Sequence, residues 1–157
     1  MWLVAAATLV VDQASKWWAL RELQPGERRP LIGDLISLRL IRNPGAAFSA
    51  LDTMTYVVTL IAVAIVAYIA VYAHRRRLPR AAALGLGLVA GGALGNLVDR
   101  FAREPGFLRG HVVDFIDYFG WFVGNVADIA IVLAVVAFLV VSLRGGERNQ
   151  PGGERNE

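Results

Sequence analysis

The chain has 157 residues, about one domain's worth, of which 56% are apolar and 18% charged; mean hydropathy is +0.50 and net charge +3. A soluble core of this size cannot hide so much apolar surface, so composition points to an integral membrane protein. The chain has no Cys, only two histidines (His74 and His111), and no HExxH, GxSxG or Walker-type loop. Disulfides, thiolate chemistry and the usual metal or nucleotide sites are therefore excluded, and any chemistry falls to carboxylates, hydroxyls, Lys16 or arginines. The modest positive charge comes from clustered arginines, which in a membrane protein report orientation rather than nucleic-acid binding.

Four stretches are long and apolar enough to cross a bilayer, which takes about 20 helical residues. The first, residues 2–20, carries Asp12 and Lys16. It lacks a basic leader and its apolar run is interrupted by charge, so it is not read as a cleavable signal peptide. The acid stands four residues before the lysine, the favourable order for an ion pair on one helix face. Mutual neutralisation is the plain reading of the pair, and support of a nearby site the functional one. Ser15 and Lys16 diverge by about 100° on a helix, which speaks against a Ser/Lys nucleophile.

The loop over 21–54 follows. Within it "LISLRLIR" (35–42) alternates as a half-buried strand does, and "NPGAAF" (43–48) supplies turn chemistry. Together they predict a small sheet on the outer membrane surface. The second span, 55–73, has no charge. It leads into "HRRRLPR", with four arginines in seven residues, a density that marks the cytoplasmic side. Both termini then lie in the cytoplasm and the loops over 21–54 and 100–122 face outward.

The third span, 81–98, places Gly87, Gly91, Gly95 and Asp99 on one face, with Gly92, Asn96 and Arg100 beside it. Such a glycine stripe admits a neighbouring backbone closely and aims Asn96 and Asp99 into the bundle. A packing seam capped by an Asp–Arg pair explains the glycines; Asn96 and Arg100 are read as ordering a site or anchoring substrate.

"GHVVDFIDYFGWFVGNVADIA" (110–130) then sets three acids among apolar residues, where a charge is costly unless paired, hydrogen-bonded or protonated. Asp117 is assigned to the outer loop, as a solvated or loop-structuring acid. Asp128 opens the fourth span, 123–143, and with Asn125 before it fits a helix cap as readily as a catalytic role. Asp114 and Asp128 can meet only if the chain turns back between them, and Gly120 and Gly124 are the candidate break points. Two adjacent carboxylates would share a proton and could hydrolyse an amide, one activating water and the other polarising the carbonyl. Two other classes compete: a proton-coupled four-span transporter using Asp12, and a non-catalytic glycine-packed membrane subunit. The first leaves the key acids oddly gathered at one membrane face, and the second leaves Asp114 without a task. The tail over 144–157 is polar, Gly-rich and expected to be disordered, after a single membrane domain over 1–143.

Five blocks in order, "VDQASKWW", "RNPGAAFS", "GGALGNLVDR", "HVVDFID" and "NVADIAI", resemble the lipoprotein signal peptidase (signal peptidase II) family over nearly the whole chain. The resemblance implies a mainly α membrane fold of four transmembrane helices, with strands and a short helix cradling substrate on the extracytoplasmic surface. It implies a catalytic dyad of Asp114 and Asp128, with Asp12, Lys16, Asn43, Gly45, Asn96, Asp99, Arg100, Asn125 and Ala127 binding substrate or supporting the site. The activity it implies is cleavage of diacylglyceryl-modified bacterial prolipoproteins just before the lipidated cysteine. It implies no cofactor or metal; the partners are substrate and membrane lipid, with no obligate protein partner and no nucleic acid. The location it implies is the bacterial inner membrane. The segment between the two aspartates, "YFGWFVGN", is more compact than in many relatives.

Overall fold

The computed structural model describes residues 1–45 and 52–147. In chain order the elements are α1 (Trp2–Glu22), β1 (Arg29–Ile32), β2 (Ile36–Asn43), α2 (Asp52–Arg75), α3 (Arg80–Ala102), β3 (Val112–Tyr118), β4 (Phe122–Gly124) and α4 (Val126–Glu147). Among the described residues three helices are long and apolar enough to cross a membrane, over Thr55–Arg75, Arg80–Ala102 and Val126–Leu143. α1 is the least apolar of the four helices and buries both Asp12 and Lys16. α4 continues to Glu147, into the stretch expected to be tail, and residues 148–157 lie outside the described ones.

α3 is the central helix, and its glycines explain why. A methyl group added at Gly87 would fall 2.8 Å from Met1 O, and one at Gly91 2.5 Å from Ala5 O, so α1 rests on bare backbone along this face. At Gly95 the added carbon would collide with the Asp12 carboxylate. Gly92, on the adjacent face, receives α4 in the same way, with Ala127 O only 2.7 Å from an added carbon. In lipid, where association gains nothing from burying apolar groups away from water, such close packing is a main source of helix–helix affinity. α2 packs mainly on α3 and leaves most of its apolar surface exposed.

The sheet is larger than the first loop alone predicts. Its four strands run β1-β2-β3-β4, all antiparallel, so half of it comes from the segment between α3 and α4. β2 pairs with β3 in a register that sets Ile41 opposite Asp114 and Asn43 opposite Val112. One face buries Leu40, Val113 and Phe115 against Ala19 and Leu23 at the end of α1. Because strand side chains alternate, Asp114 is directed to the other face.

Phe119 and Gly120, both at positive φ (58° and 76°), make the tight β3–β4 turn, closed by Trp121 N–H donating to Tyr118 O. Asp117 corrects the expectation of a solvated acid: it is fully buried. Its Oδ1 accepts from Gly120 N at 2.9 Å and so braces this turn. Arg28 Nε lies at ion-pair distance from Asp117 Oδ2 (3.3 Å) but directs its N–H to Ser37 Oγ (2.9 Å). Gly45 forms the other turn, at φ 123°, its N–H donating to Asn43 Oδ1 at 2.8 Å. The rest of "NPGAAF", from Ala46 to Phe48, lies outside the described residues. Among the described residues there is no short helix beside the sheet.

Candidate active site

Asp114 from β3 and Asp128 from the first turn of α4 meet across Asn125. The Asn125 side chain donates from Nδ2 to Asp114 Oδ1 at 2.6 Å, while its backbone N–H donates to Asp128 Oδ2 at 3.1 Å. Asp128 N–H returns a bond to Asn125 Oδ1 at 3.1 Å, completing a reciprocal cap of α4. The capping and the site-forming readings of Asp128 are therefore one arrangement. The β3–β4 hairpin supplies the return of chain that brings the two acids together. Gly120 is its turn, and Gly124 leaves room at its end, where a methyl group would sit 3.0 Å from Asp128 Oδ2 and 2.8 Å from the Phe122 ring.

The amides around the acids are locked in one orientation. Asn43 donates to Asp114 Oδ2 at 2.7 Å because its oxygen is taken by Gly45 N–H. Asn96 accepts Lys16 Nζ at 2.9 Å and Asn125 Nδ2 at 3.2 Å on its oxygen, which turns its Nδ2 to Asp128 Oδ1 at 3.1 Å. An amide whose oxygen is occupied can offer only donors to a carboxylate.

Behind this layer lies a charge network whose Asp12, Lys16 and Asp99 are fully buried, with Arg103 partly exposed at its edge. Lys16 Nζ contacts Asp12 Oδ2 at 2.9 Å and Asp99 Oδ2 at 2.8 Å, and Arg103 Nε contacts Asp99 Oδ1 at 2.5 Å. Two acids thus face two cations, which is how buried charge is tolerated. The remaining lone pairs do structural work. Asp12 Oδ1 accepts Ala127 N–H at 3.0 Å and so holds the start of α4. Asp99 Oδ2 accepts Val113 N–H at 3.2 Å and holds β3 beside Asp114. Gln13 bonds Asp12 Oδ2 (3.1 Å) and Gly95 O (2.9 Å), tying α1 to α3.

Asn43, Gly45, Val58, Asn96, Arg100, Val112, Asp114, Asn125 and Asp128 line a pocket of about 220 Å³. That is far above the ~10–15 Å³ needed to hold one water, so it has room for a peptide group and an attacking water. Burial pushes the Asp114 carboxyl up to about 6, against the bonds from Asn43 and Asn125 that hold it down; the Asp128 charge adds to the rise and Lys16 opposes it. Arg100 closes the outer side, donating from Nη1 to Pro44 O (2.9 Å) and Gly110 O (3.1 Å).

Every residue assigned to the site from the sequence falls in this region. Asp114, Asp128, Asn43, Gly45, Asn96, Arg100 and Asn125 line the pocket, while Asp12, Lys16, Asp99 and Ala127 sit behind it. The acid–arginine pair on α3 is Asp99–Arg103 rather than Asp99–Arg100, a spacing of four that the sequence already offered. Sequence reasoning missed Gln13, Val112 and Val58. Gln13 carried a signal, as a polar residue inside an apolar run beside Asp12; for Val58 the signal was indirect, the pair Thr55 and Thr59 on either side of it in an otherwise apolar stretch.

A family model described as signal peptidase (SPase) II matches residues 4–144. A lipoprotein signal peptidase of Rhodococcus jostii is 48% identical over 155 residues, covering 99% of this chain and 76% of the relative. One of Mycobacterium avium is 47% identical over 142 residues, covering 90% of this chain and 78% of the relative. A bacterial membrane enzyme solved by the in meso method at 2.3 Å resolution superposes with a TM-score of 0.74 at 25% identity, covering 98% of this chain and 93% of that one. With the matched region taking in the whole sheet, α2, α3 and all but the outermost residues of α1 and α4, the chain belongs to the signal peptidase II family.

Proposed function

We propose that this peptidase removes the signal peptide from diacylglyceryl-modified bacterial prolipoproteins, cleaving just before the lipidated cysteine, with Asp114 and Asp128 as its catalytic dyad. The observation that carries the reading is the meeting of these two acids in one pocket, bridged by Asn125 and, among the described residues, without a cation in direct contact with either. Asp114 is the ionised member. Both of its oxygens accept short bonds, 2.6 and 2.7 Å, from amides that can only donate; these offset part of the burial and hold the carboxyl to about 6, so it is ionised at neutral pH. It takes a proton from the attacking water. Asp128, whose bonds are longer at 3.1 Å, holds the proton that polarises the scissile carbonyl and then passes to the leaving amine. Arg100 on the pocket wall supplies positive charge for the developing oxyanion.

α1 is the fourth membrane span in this reading. Its 21 residues reach ~31 Å, the thickness of the hydrocarbon core. Its charges are neutralised against α3, while Leu3, Val10, Val11, Trp17 and Trp18 face outward. Arg75, Arg76, Arg77 and Arg80 at the α2–α3 connection mark the cytoplasmic side, so both termini are cytoplasmic. The pocket then lies near the extracytoplasmic face of the cell membrane, ringed by the exposed aromatics Trp17, Trp18, Phe107 and Trp121. A lipidated cysteine, anchored by its acyl chains, presents its peptide bond at that depth.

The test is cleavage of a diacylglyceryl-modified prolipoprotein peptide beside its unmodified twin, by the purified protein in detergent. Cleavage of the lipidated peptide alone is expected. Equal cleavage of both, or of neither by a folded sample, would overturn the substrate assignment.

A further inference from the structure

The outer end of α2 makes polar contacts that the dyad and its charge network do not account for. Thr55, buried near the start of α2, donates from Oγ1 to Pro44 O at 2.7 Å. Thr59, one turn on and also buried, directs its hydroxyl to Thr55 O (2.7 Å) and Leu108 O (3.0 Å). Arg100 of α3 shares the Pro44 acceptor at 2.9 Å. Pro44 stands between Asn43, whose amide holds Asp114, and Gly45, whose N–H sets the orientation of that amide. α2 otherwise leans on α3 through apolar packing, and Val58, on the face between the two threonines, is its contribution to the pocket wall. A threonine in an apolar membrane helix that spends its hydroxyl on a loop carbonyl rather than on its own preceding turn is a tie between elements.

We propose that Thr55 is a positioning residue for peptide cleavage, pinning the Asn43–Gly45 turn to α2 so that the Asn43 amide stays on Asp114. The proposal rests on the reading of Asp114 as a member of the dyad. Without the Thr55 bond, Arg100 is the partner left to Pro44 O among the described residues, and the turn gains freedom. The Asn43 bond lengthens on average, Asp114 loses part of the support for its charge, and Val58 is no longer held at a fixed distance from the acids. Because Pro44 O is never orphaned, Thr55→Val removes the tie without leaving a buried acceptor unpaired, and the fold is retained.

The test measures kcat, KM and the pH dependence of kcat/KM for the wild type, Thr55→Val, Thr55→Ser, Asn43→Ala and the Asn43→Ala/Thr55→Val double variant, each in detergent with its melting temperature. Thr55→Val is expected to lower kcat about 3- to 10-fold, the worth of one hydrogen bond, with little change in KM. The acid limb of its pH profile moves to higher pH, because the Asn43 bond is one of the contacts that hold the Asp114 carboxyl down. The other groups facing Asp114 are Asn125 and Asp128 from the α4 terminus, Lys16 from α1 and Arg100 from α3, and all are unchanged in this variant. Thr55→Ser, which keeps the hydroxyl, restores both readouts. In the Asn43→Ala background Thr55→Val adds nothing, since the amide it positions is gone.

A Thr55→Val enzyme with wild-type kcat and an unshifted acid limb would overturn the proposal. So would a loss of equal size with and without Asn43, which would mean that Thr55 acts by another route. If Asn43→Ala itself behaved as wild type, the amide that Thr55 positions would carry no weight and the proposal would fall while the dyad stood; wild-type cleavage by Asp114→Asn, run beside these variants, would instead overturn the dyad reading and the proposal with it.

Discussion

Two groups of buried acids lie within a few residues of each other in this molecule and are treated in opposite ways. Asp12 and Asp99 are met by Lys16 and Arg103, and their remaining oxygen capacity goes to backbone N–H groups that fix α4 and β3. Among the described residues, Asp114 and Asp128 are met by amides and backbone N–H. A carboxylate against a buried ammonium is committed to its charge, because protonating it would strand the partner. A carboxylate against neutral donors is supported but not committed, and two of them in one pocket can trade a proton. In the proposed mechanism chemistry resides where no cation contacts the acids directly, and the cations one layer back hold the scaffold. Asn96 joins the layers: Lys16 occupies its oxygen, and so its nitrogen is presented to Asp128.

The contrast can be broken from the scaffold side first. Lys16→Met leaves two buried acids facing a single arginine. It is expected to cost ~3–5 kcal/mol of stability, seen as a large drop in melting temperature in detergent; a variant that melts as the wild type would mean that the triad is not what holds α1 to α3. Gly95→Ala drives a methyl group into the Asp12 carboxylate without touching the dyad. The expected cost is ~1–3 kcal/mol of overpacking, with activity falling only as far as the folded fraction does. Asp117→Ala removes the brace from the β3–β4 turn, for about 1 kcal/mol. Cleavage by the folded fraction should persist, which would set this third acid apart from the two beside it.

The smallest effect is on pH. The Asp114 carboxyl is raised to about 6, so its ionised share falls as pH drops through that value. If it is the base, kcat/KM should be about halved near pH 6 and decline about tenfold per unit below it. A profile flat down to pH 4.5 would contradict the assignment, and one rising toward acid would exchange the roles of the two aspartates.

Much of this was legible in the sequence because membrane chains leave few polar residues to interpret. The four-residue spacings of Gly87, Gly91, Gly95 and Asp99, and of Asp12 and Lys16, pointed to a packing seam on α3 and an ion pair on α1; that the two meet each other came from the structure. Asn125 followed three residues later by Asp128 announced the cap. What stayed hidden depended on contacts far apart along the chain. "VVDFIDY" looks like an interfacial loop until β2, some seventy residues earlier, supplies its hydrogen-bond partners; only that pairing fixes which way Asp114 points and buries Asp117. Val58 was illegible for a different reason. On an otherwise apolar helix the side that meets the site is marked by Thr55 and Thr59, which point to a polar seam without singling out Val58 between them in sequence.

The most direct measurement of the division between the two acid groups is a panel of four single variants: Asp12→Asn, Asp99→Asn, Asp114→Asn and Asp128→Asn. Each is assayed for cleavage of the lipidated peptide and for melting temperature in the same detergent. Asp114→Asn and Asp128→Asn should lose about 10²- to 10⁴-fold in rate while melting close to the wild type. Asp12→Asn and Asp99→Asn should melt markedly lower, with the folded fraction still cleaving. Undiminished cleavage by folded Asp114→Asn or Asp128→Asn would contradict the account at its centre.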